Sequence, residues 1–213
     1  MIGGVGDVKT RRPYRSAIRR GDAPDAVRDA ARRLFAARGY LATSIDDIAA
    51  EAGVARPTVF SAVGPKPVIL KAVVDQAIAG DDAPVAVAGR PWWQEALNEP
   101  DPARSIRLHA RNITRITAGI APLWEAVQAA AAVDEQAARL LDQLLRQRRT
   151  AMASYAAALA AKGPLRHDAD TVTDILWALV PDSYLRLVRD LGWPVQRYET
   201  WLADTLQRTL LRP

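Results

Sequence analysis

One segment constrains the fold more than any other part of the chain: residues 43–66, TSIDDIAAEAGVARPTVFSAVGPK, encode two short helices joined by a tight turn. Thr43 and Ser44 each carry a hydroxyl that can cap a helix, and an aspartate follows each of them three residues later, as in a capping box. We expect the first helix to begin at about Ser44. It should end at Gly53, because glycine can adopt the left-handed conformation that turns the chain sharply.

The second helix of this segment is expected from about Arg56 to Val63, with Pro57 in its first turn, where the missing N–H is not needed. Two short helices at this spacing are typical of a helix-turn-helix, in which the start of the second helix faces base edges in the major groove. An ordinary helical hairpin inside an all-α core is the simpler alternative. The candidates for contacting bases are the exposed early residues of the second helix: Arg56, Pro57, Thr58 and Ser61.

The helices on either side strengthen this interpretation. Apolar residues recur at helical spacing over Asp25 to Gly39, and a further helical face runs from Pro67 to about Ala79. With these neighbours, residues 34–73, LFAARGYLATSIDDIAAEAGVARPTVFSAVGPKPVILKAV, resemble the amino-terminal part of the TetR (tetracycline-repressor-like) family of bacterial regulators. The shared features are the Gly-aromatic pair, the paired hydroxyls, Ile-Ala, Ala-Gly-Val, Thr-hydrophobic-aromatic and a following lysine.

The resemblance implies an all-α protein with an N-terminal three-helix helix-turn-helix DNA-binding domain and a C-terminal helical ligand-binding and dimerisation domain. We expect a flexible basic arm over residues 1–21, the DNA-binding domain over residues 22–66 and the second domain over residues 67–213. It also implies a repressor that binds a palindromic operator as a homodimer and is released by a small-molecule effector. Nothing in the residues fixes the sign of regulation, so activation stays open.

Three departures from the family pattern bear on DNA binding. Ala55 stands where a serine cap is common, Phe60 where a tyrosine usually contacts a phosphate, and Ala62-Val63 where His-Phe is common. Phe60 keeps the ring but cannot donate a hydrogen bond. We therefore expect phosphate contacts, which position a protein without specifying sequence, to shift to the basic arm and to Thr43, Ser44 and Lys66. The same departures keep one alternative open: a TetR-like ligand-binding or protein-interaction dimer with weak or no operator binding.

The positive charge is concentrated at the amino-terminal end. Residues 1–66 hold 12 Lys and Arg against 7 Asp and Glu, whereas residues 67–213 hold 17 of each. Such a surface attracts a DNA duplex, and its affinity should fall steeply with salt. The arm contributes Arg11, Arg12, Arg15, Arg19 and Arg20, which can lie on phosphates or in a minor groove, although an idle tail is an equal alternative.

Composition argues against the competing classes. The chain has no cysteine, which excludes disulfides and thiolate catalysis, and its two histidines have no metal-ligand spacing. No catalytic signature, metal site or cofactor motif stands out, so we expect no enzyme activity. No apolar run reaches the roughly 18 residues of a membrane span, and no signal peptide is evident. A cytoplasmic location is therefore expected.

The remainder is predicted to be helical after a loop at residues 81–90. Proline and glycine set the expected limits of a short helix at Pro91–Asn98 and of five longer ones: Pro102–Ile120, Pro122–Ala132, Asp134–Lys162, Asp168–Asp190 and Pro194–Arg212. The helix expected at Asp168–Asp190 is apolar on two sides, and the last helix has one continuous apolar stripe. One face can serve the core and the other a partner subunit across a two-fold axis. A thick single-subunit core is the alternative.

The second domain should also enclose a pocket, which is expected to be mostly apolar with a few placed polar groups. Large aromatic or polar residues within apolar helices are the candidates, although packing in the core or the dimer is the more common role of such residues. We expect Trp124 and Trp177 to be the best aromatic candidates and His109 the best polar one. The full set of predicted ligand-binding residues is His109, Asn112, Trp124, Tyr155, Trp177 and Tyr184.

Overall fold

A computed structural model describes residues 21–80 and 86–212, and the predicted arm therefore lies outside the described residues except for Gly21. The described chain is helical, with one isolated bridge between Leu165 and Leu211. The all-α prediction is confirmed. The helices are α1 (Ala23–Arg38), α2 (Ile45–Ala52), α3 (Arg56–Ala62), α4 (Lys66–Ala79), α5 (Pro91–Asn98), α6 (Pro102–Ala131), α7 (Glu135–Ala160), α8 (Ala169–Leu179), α9 (Asp182–Tyr184) and α10 (Val195–Leu210).

Local signals determine the geometry of α2 and α3. The Ser44 hydroxyl accepts the Asp47 N–H at 3.1 Å, and the Asp47 carboxylate accepts the Ser44 N–H at 2.8 Å, so the predicted capping box forms. Gly53 ends α2 with φ 67° in the left-handed region. Val54 and Val59 are buried between the two helices. The helix-turn-helix thus folds as its sequence predicts.

Two hydrophobic cores organise the molecule. The first joins α1, α2, α3 and α4 to the second half of α6 and the start of α7; its members include Phe35, Ile48, Val59, Leu70, Leu123, Val127 and Leu140. The second lies among α5, the first half of α6, the end of α7, α8 and α10; its members include Trp93, Ile106, Tyr155, Leu176, Tyr198 and Leu206. Helices α1 and α4 pack on α6, and α4 also packs on α7, so they connect the helix-turn-helix to these two helices.

The prediction that Pro122 separates two helices is wrong. Helix α6 runs without interruption from Pro102 to Ala131, with Pro122 inside it. Proline removes one backbone hydrogen bond and usually kinks a helix. Here the residues that follow it, Leu123, Ala126 and Val127, are buried in the first core, and this packing holds the helix together.

The prediction of one continuous helix over Asp168–Asp190 is also wrong. Helix α8 ends at Leu179, Val180 is extended, and the Val180–Pro181 peptide bond is cis. The residue before a proline is disfavoured in the α conformation, so the chain leaves the helix at Val180. It resumes with α9 and a π-helical turn over Leu185–Asp190. The predicted apolar stripes of this region therefore lie on separate pieces.

Within the described residues, no helix has both the length and the apolar character that a membrane span needs.

Candidate functional site

The surface of α3 offers the predicted DNA-contacting residues to solvent. Arg56, Pro57 and Ser61 are exposed, and Thr58 is half-buried. Val59, on the opposite face of the same helix, is fully buried and fixes α3 to the core. The structure therefore brings the four predicted base-contacting residues together on the first two turns of one exposed helix.

Arg56 makes two weak contacts that leave its guanidinium accessible. Its guanidinium is 2.8 Å from the Asp46 carboxylate, with both side chains more than half exposed. Its Cζ atom also lies 5.9 Å from the ring centroid of Phe60, which is 43% exposed. An exposed ion pair contributes only about 0–1 kcal/mol. Exchange of Asp46 for a DNA acceptor therefore costs little.

The residues predicted to contact phosphates differ in how accessible they are. Thr43 is 1% exposed, and its hydroxyl donates to the Gly39 carbonyl at 2.8 Å. This geometry does not favour a phosphate contact by the Thr43 side chain. Ser44 is exposed, although its hydroxyl already serves the capping box with Asp47. The hydrogen bonds from Ser44 hold the pKa of the Asp47 carboxyl below its usual value.

Lys66 belongs to a small cluster that the sequence prediction did not include. Its Nζ atom lies 4.1 Å from the Tyr40 ring centroid, and the Tyr40 hydroxyl donates to Asp134 at 3.5 Å. Burial, and then the charge of Asp134, raise the pKa of Tyr40 to about 12. Burial lowers the pKa of Lys66, while Asp134 and Asp47 oppose that shift. Asp134 also caps α7 by accepting two backbone N–H groups, so the cluster links the DNA-binding part to the start of α7.

A second candidate site is a cavity of about 950 Å³ between α4, α6, α7 and the break after α8. Its volume lies within the range of small-molecule pockets, about 300–1,000 Å³. Apolar side chains form much of its wall, and polar groups such as Gln76, Thr117 and Arg148 stand among them. The cavity is therefore suited to a largely apolar ligand.

Of the six predicted ligand-binding residues, Trp124 is the one found on the described wall of this cavity. Asn112 donates from Nδ2 to the Trp92 carbonyl at 2.7 Å. Trp177 lies under the guanidinium of Arg148, with 4.1 Å between Cζ and the ring centroid. Tyr184 packs edge-on against the Tyr198 ring, with centroids 5.1 Å apart, in the second core.

The remaining two predicted residues, His109 and Tyr155, form a buried stack with ring centroids 3.7 Å apart. Nδ1 of His109 is buried and has no hydrogen-bond partner among the described residues. His109 lines a second, small cavity of about 10 Å³, which is roughly the space of one water molecule. Both cavities share Ile113, Met152 and Val180 as wall residues, so His109 lies close behind the large one.

Burial lowers the pKa of His109 to about 3, whereas an unfolded histidine titrates near 6.5. Between these values the unfolded state binds more protons, so stability should fall as pH drops from about 6.5 towards 3, by at most about 1.4 kcal/mol per pH unit. In His109→Leu this component should be absent. Urea unfolding at several pH values measures both slopes, and equal slopes in the two proteins would contradict the assignment.

Gly119 allows α6 to approach α4 closely beside the cavity. A Cβ atom at this position would lie 2.3 Å from the backbone oxygen of Ala77 on α4, which is far inside normal contact distance. Residues of both helices also line the cavity, among them Gln76 and Ile78 on α4 and Ile116 and Ile120 on α6. The sequence did contain a signal, because an interior helix glycine often marks a close approach of another backbone.

Comparison with known proteins bears on the helix-turn-helix and on the fold. Residues 27–73 match the family model of bacterial regulatory proteins of the tetR family. A structure described as a transcriptional regulator from Saccharomonospora viridis in complex with choline is similar, with 19% identity, a TM-score of 0.70 and coverage of 91% of this chain and 100% of that one. No curated protein matches the sequence.

SmeT, the repressor of the Stenotrophomonas maltophilia multidrug efflux pump SmeDEF, is similar at 16% identity, with a TM-score of 0.63 and coverage of 92% of each chain. The SmeT complex with triclosan gives a TM-score of 0.67 at 16% identity, covering 89% of this chain and 92% of that one. These identities are low, and the likeness is one of fold.

The helix-turn-helix with its exposed second helix and the helical domain behind it form the fold of a DNA-binding transcriptional regulator. Over residues 27–73 the chain carries the amino-terminal domain of the TetR family, which confirms the resemblance predicted from the sequence.

Proposed function

We propose that this protein is a cytoplasmic transcriptional repressor that binds a palindromic operator as a homodimer and is released by a small-molecule effector. The observation that carries the proposal is that α4 joins the two sites. Its first residue, Lys66, follows the helix-turn-helix, and its later residues form part of the cavity wall. A ligand in the cavity thus contacts the helix that holds the DNA-binding surface.

In the proposed complex Arg56, Pro57, Thr58 and Ser61 face the bases. Lys66 and Ser44 lie beside the backbone, and Phe60 packs its ring against the sugar-phosphate surface. Arginine most often binds guanine, and threonine or proline can contact a thymine methyl. The exposure of Arg56 and Pro57 supports this arrangement, as does the excess of basic residues before Pro67.

The proposed dimer uses α8, the π-helical turn and α10. Several large apolar side chains there keep part of their surface in solvent: Trp177, Leu179, Leu187, Val188 and Trp201 are half-buried, and Leu191 is 68% exposed. A two-fold interface would cover them. It would also set the distance between the two α3 helices, which must be roughly 34–36 Å for successive major grooves.

Release follows from the position of the cavity. A ligand that binds better when α4 and α6 are arranged differently shifts the population away from the DNA-competent state. The structures with choline and triclosan show that regulators of similar fold hold small molecules. Linkage then requires operator DNA to weaken effector binding by the same factor.

The experiment that tests DNA binding is a gel shift of the full chain on the DNA flanking its own gene, followed by a footprint. Arg56→Ala should weaken binding about 5- to 150-fold and relax base preference at one position, as expected for loss of an arginine–base contact of roughly 1–3 kcal/mol. Arg33→Ala is the matched control, because Arg33 on α1 also forms an exposed ion pair across to α2, with Glu51 at 3.0 Å.

If no protein–DNA complex appears in the gel at low salt, the proposed function is wrong, and a ligand-binding dimer without an operator is favoured. Equal losses in Arg56→Ala and Arg33→Ala would remove Arg56 from the base-contacting set.

Phe60→Tyr adds one hydroxyl donor at an exposed position of α3. We expect operator affinity to rise, by up to about tenfold for one additional hydrogen bond to a charged oxygen. Fluorescence anisotropy with labelled operator measures the change. Lower affinity would contradict the place given to Phe60.

A further inference from the structure

One cation in the large cavity differs from the others. Four lining residues carry a positive charge: Arg28, Lys71, Arg146 and Arg148. The first three pair with carboxylates on their own helices, namely Asp25, Asp75 and Asp142. Arg148 has no ion pair with any residue of the two described ranges, 21–80 and 86–212.

Arg148 is nevertheless held in place. Its guanidinium donates to the Trp177 carbonyl near the end of α8 and lies over the Trp177 ring. Burial lowers the pKa of Arg148 to about 10, while the charge of Asp182 opposes that shift, so the group is still protonated at neutral pH. A guanidinium has five N–H donors, and the Trp177 carbonyl occupies only part of them.

A partly dehydrated charge without an ion-pair partner is costly, and an anion that reaches it removes much of that cost. The rest of the wall sets the remaining chemistry. Trp93, Ile113, Ile116, Ile120, Trp124 and Met152 present apolar surface to the same cavity. The site therefore combines one unpaired cation with an apolar chamber of about 950 Å³.

We propose that the cavity takes an anionic amphipathic ligand, an apolar molecule with a single carboxylate, and that Arg148 binds the carboxylate. The inference rests on the proposed function, since it names the chemical class of the effector. The apolar body of the ligand lies between α6 and α7. Its charged end points to the break between α8 and α9, where Arg148 is anchored on Trp177.

Isothermal titration calorimetry on the full chain without DNA tests this with three probes of equal chain length: decanoate, decanol and decyltrimethylammonium. Decanoate should bind about tenfold or more tightly than either of the others, because a hydrogen bond to a charged partner is lost in decanol and replaced by repulsion in the cation. Total tryptophan fluorescence provides a second readout, since two of the six tryptophans, Trp93 and Trp124, line the cavity.

Variants separate a binding role from a structural one. Arg148→Gln should lower decanoate affinity about 10- to 100-fold and leave decanol affinity unchanged, whereas Arg148→Lys should keep most of the preference for decanoate. If Arg148 served only to cap the end of α8, its loss would change the affinities for decanoate and decanol equally. Arg149→Gln is the matched control, since the neighbouring Arg149 is exposed and paired with Asp174 at 2.9 Å, and it should keep the wild-type ratio.

Equal binding of decanoate and decanol, tighter binding of the cation, an unchanged ratio in Arg148→Gln, or no saturable decanoate binding at millimolar concentration would each overturn the inference. None of these outcomes affects the gel shift with flanking DNA. Conversely, a failed gel shift with the expected calorimetry refutes the repressor and leaves the carboxylate site standing.

Discussion

Gly119→Ala is expected to lower both stability and operator affinity. The new methyl group would sit 2.3 Å from the Ala77 oxygen, and that atom belongs to backbone, so α4 and α6 must move apart. Overpacking of this kind costs about 1–3 kcal/mol, more than the roughly 0.5–1 kcal/mol that alanine gains over glycine in a helix. The shift begins in α4, and α4 continues from the helix-turn-helix.

We expect operator affinity to fall about tenfold or more, because in the proposed mechanism a change in the position of α4 disfavours the DNA-competent state. Urea unfolding and fluorescence anisotropy on labelled operator measure the two effects at one protein concentration. Gly21→Ala is the control, since a Cβ atom at Gly21 has no neighbour within 4 Å. Wild-type operator affinity in Gly119→Ala would mean that α4 does not carry the signal.

Leu123→Ala should be the most destabilising of these substitutions. Leu123 follows Pro122 and has no exposed surface, because it fills the first core between α6 and the helices of the DNA-binding part. Truncation of a buried leucine costs about 2–5 kcal/mol through lost transfer free energy and the cavity left behind. Fraying of α6 at Pro122 would add to this cost, because the packing of the first core keeps the helix continuous there.

The same chemical change at an exposed site gives the control. Leu41 is 62% exposed, and Leu41→Ala should alter the free energy of unfolding by less than about 0.5 kcal/mol. Urea unfolding followed by far-UV circular dichroism measures both variants. Equal small losses would show that α6 does not depend on the first core at Pro122.

The helix-turn-helix could be predicted because its signals are local. The capping box of Ser44 and Asp47 and the left-handed Gly53 act within a few residues, and they hold in any tertiary setting. The two proline errors have the opposite origin. Pro122 is carried through a helix and Pro181 interrupts one, and the difference lies in which neighbours are buried, which spacing along the chain does not reveal.

The cavity was harder to predict for a related reason. Periodicity indicates that a residue faces inward but not which helix it meets, so His109 and Tyr155 could not be told apart from Trp124. In the sequence, Arg148 is one of several arginines on a long helix, and such a residue is expected to be exposed to solvent. Its position over Trp177 depends on the end of α8, which the predicted continuous helix did not contain.

The first core has a consequence for how this protein can be engineered or recombined. Phe35, Ile48 and Val59 share one core with Leu123 and Leu140. A fragment that ends at residue 66 would therefore expose to water the apolar surface of α1, α2 and α3 that this core buries. A chimera that places this helix-turn-helix on another effector domain must therefore bring α4 with it and recreate the buried faces of α6 and α7. In the proposed function, DNA specificity is exchanged by changing the surface of α3, whereas separation of the two parts of the chain would expose the first core.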